Sequence, residues 1–245
     1  MPADPPTDRV CLVTGAGSGI GAAIAERLSR QGHRIALCAR TVDHLEAVAA
    51  GLPGPSLVVP ADLTLDGSVD ELFDTIERAW APVEILVANA GAATSAPIGR
   101  ITDDAWQRML DANLTAPFRC LRRALPAMTA AGWGRVVVIA SVAAKRGEAY
   151  IAAYTAAKHG VLGLSDVLRA ELEAVGAPVG VSVLMPGMIR TGMNPIGTVE
   201  PSAVAANVVD AIRRNRAYVF TDDHSTSEVE ERLQAILAAR ADVRA

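Results

Sequence analysis

Tyr154 and Lys158 stand four residues apart in a stretch with helical periodicity, so the two side chains share one face. A free phenol has a pKa of about 10 and is a poor proton carrier at neutral pH. A unit positive charge about 4 Å away, at an effective dielectric of about 20, is worth about 4 kcal/mol, or roughly 3 pKa units. That would bring the phenol toward a working range for general acid–base chemistry. The chain has only two lysines, Lys145 and Lys158, against 21 arginines, which points to a use for the compact ammonium. The same spacing also arises on solvated or interfacial helix faces, so the pair gains weight from what lies upstream. Ser141 follows the apolar run Val136–Ala140. A hydroxyl at the carboxyl end of a strand in an open α/β sheet can hydrogen-bond a ligand's carbonyl oxygen, or it can simply close the turn.

Near the start, an apolar run leads into Thr14-Gly15-Ala16-Gly17-Ser18-Gly19-Ile20-Gly21, and a helical pattern follows. Glycines between a strand and a helix let backbone approach a phosphate and present N–H groups at the helix N-terminus. The alternative is a tight turn with no ligand, although four glycines weaken both elements. About 20 residues on, the next run ends Leu37-Cys38-Ala39-Arg40. An acidic residue there would take the ribose 2′-hydroxyl of NAD, whereas an arginine suits a 2′-phosphate. Arg40 therefore points to NADP(H) over NAD(H), unless it is only solvated; Ser18 adds no second cation.

These groups need a scaffold, and the periodicity supplies one. Apolar runs at Val10–Thr14, Arg34–Ala39, Ser56–Val59, Glu84–Ala88, Arg135–Ala140, Val179–Met185 and Tyr218–Thr221 read as strands. Runs such as Val136-Val137-Val138-Ile139 mark strands covered on both faces. Helical patterns lie between them near 19–31, 42–51, 67–80, 103–130, 152–175, 202–215 and 226–240. This alternation predicts an α/β fold: a doubly wound parallel β-sheet (Rossmann fold) in three α/β/α layers. A single domain over 1–245 is expected, with a tail at 1–8, a substrate loop at 188–200 and a C-terminal helix at 225–241.

Composition narrows the classes further. Hydrophobic residues make up 51% of 245 and charged residues 20%, with a net charge of −4, which disfavours both disorder and nucleic-acid binding. No uninterrupted apolar stretch reaches the ~18 residues of a membrane helix, and the first residues lack a signal-peptide core. Cys11, Cys38 and Cys120 have neither even number nor metal spacing and read as core residues of a reducing, cytoplasmic setting. His33, His44, His159 and His224 are scattered, so no metal site is expected. Arg122-Arg123 reads as a solvated helix face.

Taken together, these residues resemble the short-chain dehydrogenase/reductase family, in its single-domain branch, over about residues 9–221. The resemblance rests on the turn from Thr14 to Gly21, Asp62 in Ala61-Asp62-Leu63-Thr64, Asn89-Ala90-Gly91, Asn113 in Asp111-Ala112-Asn113-Leu114-Thr115, Ser141, the Tyr154–Lys158 pair, and Pro186-Gly187 with Thr191 after it. It implies that Gly15, Ser18, Gly19, Ile20, Gly21, Arg40, Asp62, Leu63, Asn89, Gly91, Pro186, Gly187, Ile189 and Thr191 bind the dinucleotide together with Tyr154 and Lys158. It makes Tyr154 the acid in ketone reduction and the base in alcohol oxidation. Lys158 lowers the tyrosine pKa and holds the ribose, Ser141 polarises the carbonyl, and Asn113 holds a water in the proton relay. Val142 and Met188 are expected substrate contacts. The long helices carrying Asn113 and Tyr154, with outer residues such as Leu162 and Val167, would pair across a two-fold axis in a homodimer or homotetramer.

The implied activity is NADP(H)-dependent interconversion of a ketone and a secondary alcohol. A 3-oxoacyl-(acyl-carrier-protein) reductase is the alternative, and a non-catalytic nucleotide sensor a further one. Two departures bear on the choice. Ala88 stands where the family often has asparagine, a change expected to affect packing. The tail replaces a glycine-rich end with Tyr218-Val219-Phe220-Thr221-Asp222-Asp223-His224 and a helix carrying Val229, Leu233, Ile236 and Leu237. That tail resembles the branch acting on bulkier, often aromatic or cyclic substrates. Ala130-Ala131-Gly132-Trp133 also lacks the basic residues an acidic carrier protein would favour.

Overall fold

A computed structural model describes residues 7–223 and 226–241. Seven strands form one sheet: β1 (Val10–Thr14), β2 (Arg34–Cys38), β3 (Ser56–Val58), β4 (Ile85–Ala88), β5 (Gly134–Ile139), β6 (Val179–Met185) and β7 (Tyr218–Phe220). Their spatial order is β3-β2-β1-β4-β5-β6-β7, and every pairing is parallel. The order reverses between β1 and β4, so the crevice that can take a ligand opens beyond the carboxyl ends of those two strands.

The helices are α1 (Gly19–Ser29), α2 (Val42–Ala50), α3 (Ser68–Ala79), α4 (Asp103–Leu110), α5 (Ala116–Ala130), α6 (Ala152–Ala174), α7 (Pro201–Arg214) and α8 (Thr226–Ala241). Strand alternation sorts the core into two layers. Val10, Leu12, Leu86, Val136, Val138 and Val183 pack with Phe73, Leu72, Cys120, Leu121 and Val161 from α3, α5 and α6. On the other face Cys11, Val13, Ile85, Val87, Val137 and Leu184 meet Ile24, Leu28, Leu45, Val208 and Ile212 from α1, α2 and α7. The three cysteines are buried free thiols, with burial pushing Cys120 up to about 12 and Cys11 and Cys38 also upward.

The pattern at 103–130 resolves into two helices joined by a wider π-turn at Asp111–Thr115. An α-helical bond to the Asn113 carbonyl would have to come from Pro117, which has no N–H. The ladder lengthens instead, with the Ala116 amide bonding the Asp111 carbonyl. Of the expected solvated face at Arg122-Arg123, Arg122 is exposed but Arg123 is not free in solvent. Arg123 bonds Asp74 at 2.8 Å and holds both carboxylate oxygens of Glu77 at 2.8 and 2.9 Å, tying α5 to α3. Its guanidinium lies 5.3 Å from the Phe73 ring centre. The expected tail falls largely outside the described residues, as do His224 and residue 225 of the expected C-terminal helix.

Candidate active site

Thr14 closes β1 and organises the crevice. Its Oγ1 accepts the Asn89 and Ala90 N–H groups, each at 3.0 Å, and donates to the Val87 carbonyl at 3.4 Å. The Asn89 side-chain amide donates to the Thr14 carbonyl at 2.9 Å and the Gly15 carbonyl at 3.3 Å. The glycine turn is thus stitched to the segment after β4. Gly15 (φ 65°) and Gly19 (φ 54°) adopt the left-handed backbone that favours glycine. A Cβ on Gly21 would overlap the Gly15 carbonyl oxygen, so the helix can start this close to the turn only without a side chain there. Ser18, exposed in front of α1, makes no side-chain cap, which leaves the first-turn amides of α1 to other partners. A Cβ on Gly19 would come 3.2 Å from the Thr191 methyl. Thr191 therefore faces the turn from the opposite side.

The four residues expected to do the chemistry converge beside this turn. Ser141 follows β5 and its Oγ accepts the Ala143 N–H at 3.1 Å. The Ser141 hydroxyl is also near enough to the Tyr154 phenol to favour its ionised form. Lys158 is buried one helical turn on, donates to the Ile139 carbonyl at 3.0 Å, and lies 5.5 Å from the Tyr154 ring centre. Asn113, fully buried in the π-turn, donates to the carbonyls of Ala92 at 2.9 Å and Met109 at 3.0 Å. Its Oδ1 accepts the Ala92 N–H at 3.3 Å. Gly91 lies between them: a side chain there would run into Asn113 Oδ1 and come 3.7 Å from Lys158 Nζ.

Burial moves the two titratable groups here in opposite directions. The Tyr154 phenol is shifted up, with burial the main cause, the Ser141 hydroxyl opposing it and Glu148 adding to it. The lysine is pushed down to about 8 by burial. Its ammonium donates to a main-chain carbonyl of β5. For Asn113, both side-chain N–H groups already have carbonyl partners, so a water could be held by the side chain only at Oδ1.

The family model for short chain dehydrogenase matches residues 9–198. The chain belongs to the short chain dehydrogenase family. Its relatives include the 3-oxoacyl-[acyl-carrier-protein] reductase MabA of Mycobacterium tuberculosis, 38% identical over 192 residues, covering 78% of this chain and 74% of that protein. An uncharacterised oxidoreductase of Staphylococcus aureus is 34% identical over 84% of this chain and 91% of its own. Among solved structures, a short chain dehydrogenase/reductase from Burkholderia phymatum in complex with NAD superposes with a TM-score of 0.91 at 24% identity, covering 95% of each chain. The fold is thus the Rossmann arrangement of this oxidoreductase family.

Within the family's layout the remaining residues fall as follows. Asp62 Oδ1 accepts the Thr64 hydroxyl at 2.7 Å and amide at 3.0 Å. These bonds hold its carboxyl below the usual range, with help from the charge of Arg40. Arg40 is exposed beyond β2, and Leu63 is buried beside Asp62. Ile20 packs partly buried on the α1 side of the sheet. Pro186 and Gly187 follow β6, and the Pro186 carbonyl accepts the Val142 N–H at 3.0 Å. Val142 is nearly buried and Met188 half-buried. Ile189 is anchored in the core, and the segment beyond it folds back on itself: the Met188 carbonyl accepts the Thr198 and Val199 N–H groups at 2.8 and 3.0 Å.

Sequence reasoning missed two neighbours of the site, His44 and Asp222, and placed a third, Glu148, near the catalytic segment without a role. His44 packs its Cβ against Gly17, where a glycine side chain would meet it at 3.1 Å. Glu148 is close enough to oppose ionisation of Tyr154. Asp222 grips Gly187. Only the His44 contact had a local signal, a glycine with no turn duty of its own.

Proposed function

We propose that this chain is an NADP(H)-dependent oxidoreductase that interconverts a ketone and a secondary alcohol. The observation that carries this reading is the convergence of Tyr154, the buried Lys158 5.5 Å from its ring, Ser141 at the end of β5 and Asn113 around Gly91. The turn suits a dinucleotide: two left-handed glycines and a helix start without a side-chain cap leave backbone N–H groups available to a phosphate. Gly15, Ser18, Gly19, Ile20 and Gly21 would hold the pyrophosphate. Arg40, Asp62 and Leu63 would hold the adenosine end. Asn89, Gly91, Pro186, Gly187, Ile189 and Thr191 would flank the nicotinamide end.

A bound nicotinamide supplies or accepts the hydride. In the reductive direction Tyr154 gives its phenolic proton to the carbonyl oxygen as negative charge develops there. Ser141 donates a hydrogen bond to the same oxygen. Lys158 replenishes the phenol's proton and holds ribose hydroxyls, and Asn113 Oδ1 orders the water that feeds it. Val142 and Met188 contact the substrate. The buried free thiols agree with a cytoplasmic setting.

A 3-oxoacyl substrate on a carrier protein is the second reading, favoured by the name of the mycobacterial relatives. The sensor reading is disfavoured because Asn113, Ser141, Tyr154 and Lys158 are all present and adjacent. The deciding experiment follows nicotinamide absorbance with NADPH and NADH against free ketones, alcohols and carrier-bound 3-oxoacyl thioesters. Tyr154→Phe should lose at least about 100-fold in kcat while keeping cofactor affinity. Undiminished turnover in that variant removes Tyr154 as the acid. Arg40→Asp should move the ratio of kcat/KM values from NADPH toward NADH, and an unchanged ratio removes the 2′-phosphate assignment.

A further inference from the structure

The β7–α8 junction lies outside the residues given roles above, yet its contacts run into the active-site wall. Asp222 Oδ2 accepts the Gly187 N–H at 3.2 Å and the Thr221 hydroxyl at 2.8 Å. The Thr221 Oγ1 lies 3.4 Å from the same N–H. A side chain on Gly187 would overlap the Asp222 carboxylate, so the carboxylate fills the space directly against that Cα. The turn it grips is also bonded to the serine segment, because the Pro186 carbonyl takes the N–H of Val142, the residue after Ser141.

The same junction holds the other end of the serine segment. Lys145 Nζ sits 4.0 Å from the centre of the Phe220 ring; burial shifts its pKa down, and the Asp222 charge opposes that shift. From α8, Arg232 donates to the Lys145 carbonyl at 3.0 Å. The carboxylate therefore holds 186–187 through a backbone bond, and its charge acts on the lysine that ends the 141–145 segment.

We infer that Asp222 is a positioning residue: it fixes the Pro186–Gly187 turn and, through the Pro186 carbonyl, the Ser141–Val142 turn, so that the serine hydroxyl meets the Tyr154 phenol. This rests on the oxidoreductase reading of the site.

The test compares wild type with Asp222→Ala, Asp222→Asn and Asp222→Glu. NADPH fluorescence titration gives cofactor affinity, melting gives fold stability, and kcat and KM are measured on whichever carbonyl compound the panel yields. Asparagine keeps an acceptor oxygen for the Gly187 N–H; glutamate keeps the charge and displaces it by a methylene. Asp222→Ala should lose about tenfold or more in kcat, with a smaller change in substrate KM. Asp222→Asn should recover to within about threefold of wild type, and Asp222→Glu should not. The inference is overturned if Asp222→Ala keeps kcat within about twofold, or if asparagine fails to rescue. It is also overturned if the variants only melt earlier, with kcat per folded molecule unchanged. Should the alanine variant not fold, the asparagine–glutamate contrast carries the same decision, and equal activity of those two overturns it. Active wild type with unaffected variants removes this inference alone. Wild type that neither binds NADPH or NADH nor turns over removes the oxidoreductase reading, and this inference with it.

Discussion

At Lys158 the fold sets a charge where burial works against it. The ordinary lysine pKa of 10.5 falls to about 8 in the folded chain. A base whose folded pKa is depressed is penalised when charged, so the penalty is full below about 8 and fades as pH rises toward 10.5. Its size is on the order of 3 kcal/mol. The melting temperature of wild type minus that of Lys158→Met should therefore increase by several degrees between pH 8 and 10.5, at roughly 2–4 °C per kcal/mol. A flat difference across that range would mean that the ammonium is solvated in the folded protein. Tyr154 shows the companion lesson. Residue types and spacing were legible from the sequence, but the partner of the ammonium was not, because a main-chain carbonyl of β5 reaches it across 19 residues of sequence. Pairing by helical spacing sees only the helix, whereas tertiary packing chose the strand.

Among the elements, the strand–turn–helix unit from Val10 to Ser29 was the most legible. Its apolar run, its four glycines and its helical period each fix a piece of geometry independently. Gly21 is where they depend on each other most tightly. Gly21→Ala should destabilise the fold by about 1–3 kcal/mol, because the methyl would press on backbone that cannot swing aside. It should also weaken NADPH binding, seen as a loss of fluorescence enhancement on titration, whereas retained affinity and an unchanged melting temperature would show that the turn can open without loss. The π-turn at Asp111–Thr115 leaves no trace in the helical period, although the spacing of Asn113 and Pro117 announces it once the missing N–H is considered. The irregular segment at 188–200 carries no periodicity. What holds it is a set of main-chain bonds at Met188, Arg190 and Val199, and these leave no mark on side-chain pattern.

For the whole molecule, the described chain leaves apolar side chains open on two sets of elements. On α8, Leu233, Ile236 and Leu237 are 50–58% exposed, and Tyr218 and Phe220 are exposed on the edge strand β7. On α4, α5 and α6, around Asn113 and Tyr154, Trp106, Phe118 and Val167 are exposed, whereas Leu162, expected outside, packs partly against the core. An unpaired edge strand with aromatic side chains is a surface that folded proteins cover or blunt. Two such faces on one chain suit closed two-fold association, in which each face meets its own copy. Light scattering after size exclusion should therefore give two or four times the 25.5 kDa of one chain. If both faces associate, Phe118→Glu and Leu237→Glu should each reduce a tetramer to a dimer, and the double substitution should yield the single chain. A mass of one chain for the unsubstituted protein at micromolar concentration would end the oligomer expectation. A stable tetramer in the double variant would move the contacts to other surfaces. The Leu237→Glu arm bears further on chemistry, because α8 reaches the serine segment through Arg232 and Lys145. If association steadies α8, loss of that interface should lower kcat more than it changes cofactor affinity, and the Phe118→Glu arm should leave both nearly unchanged.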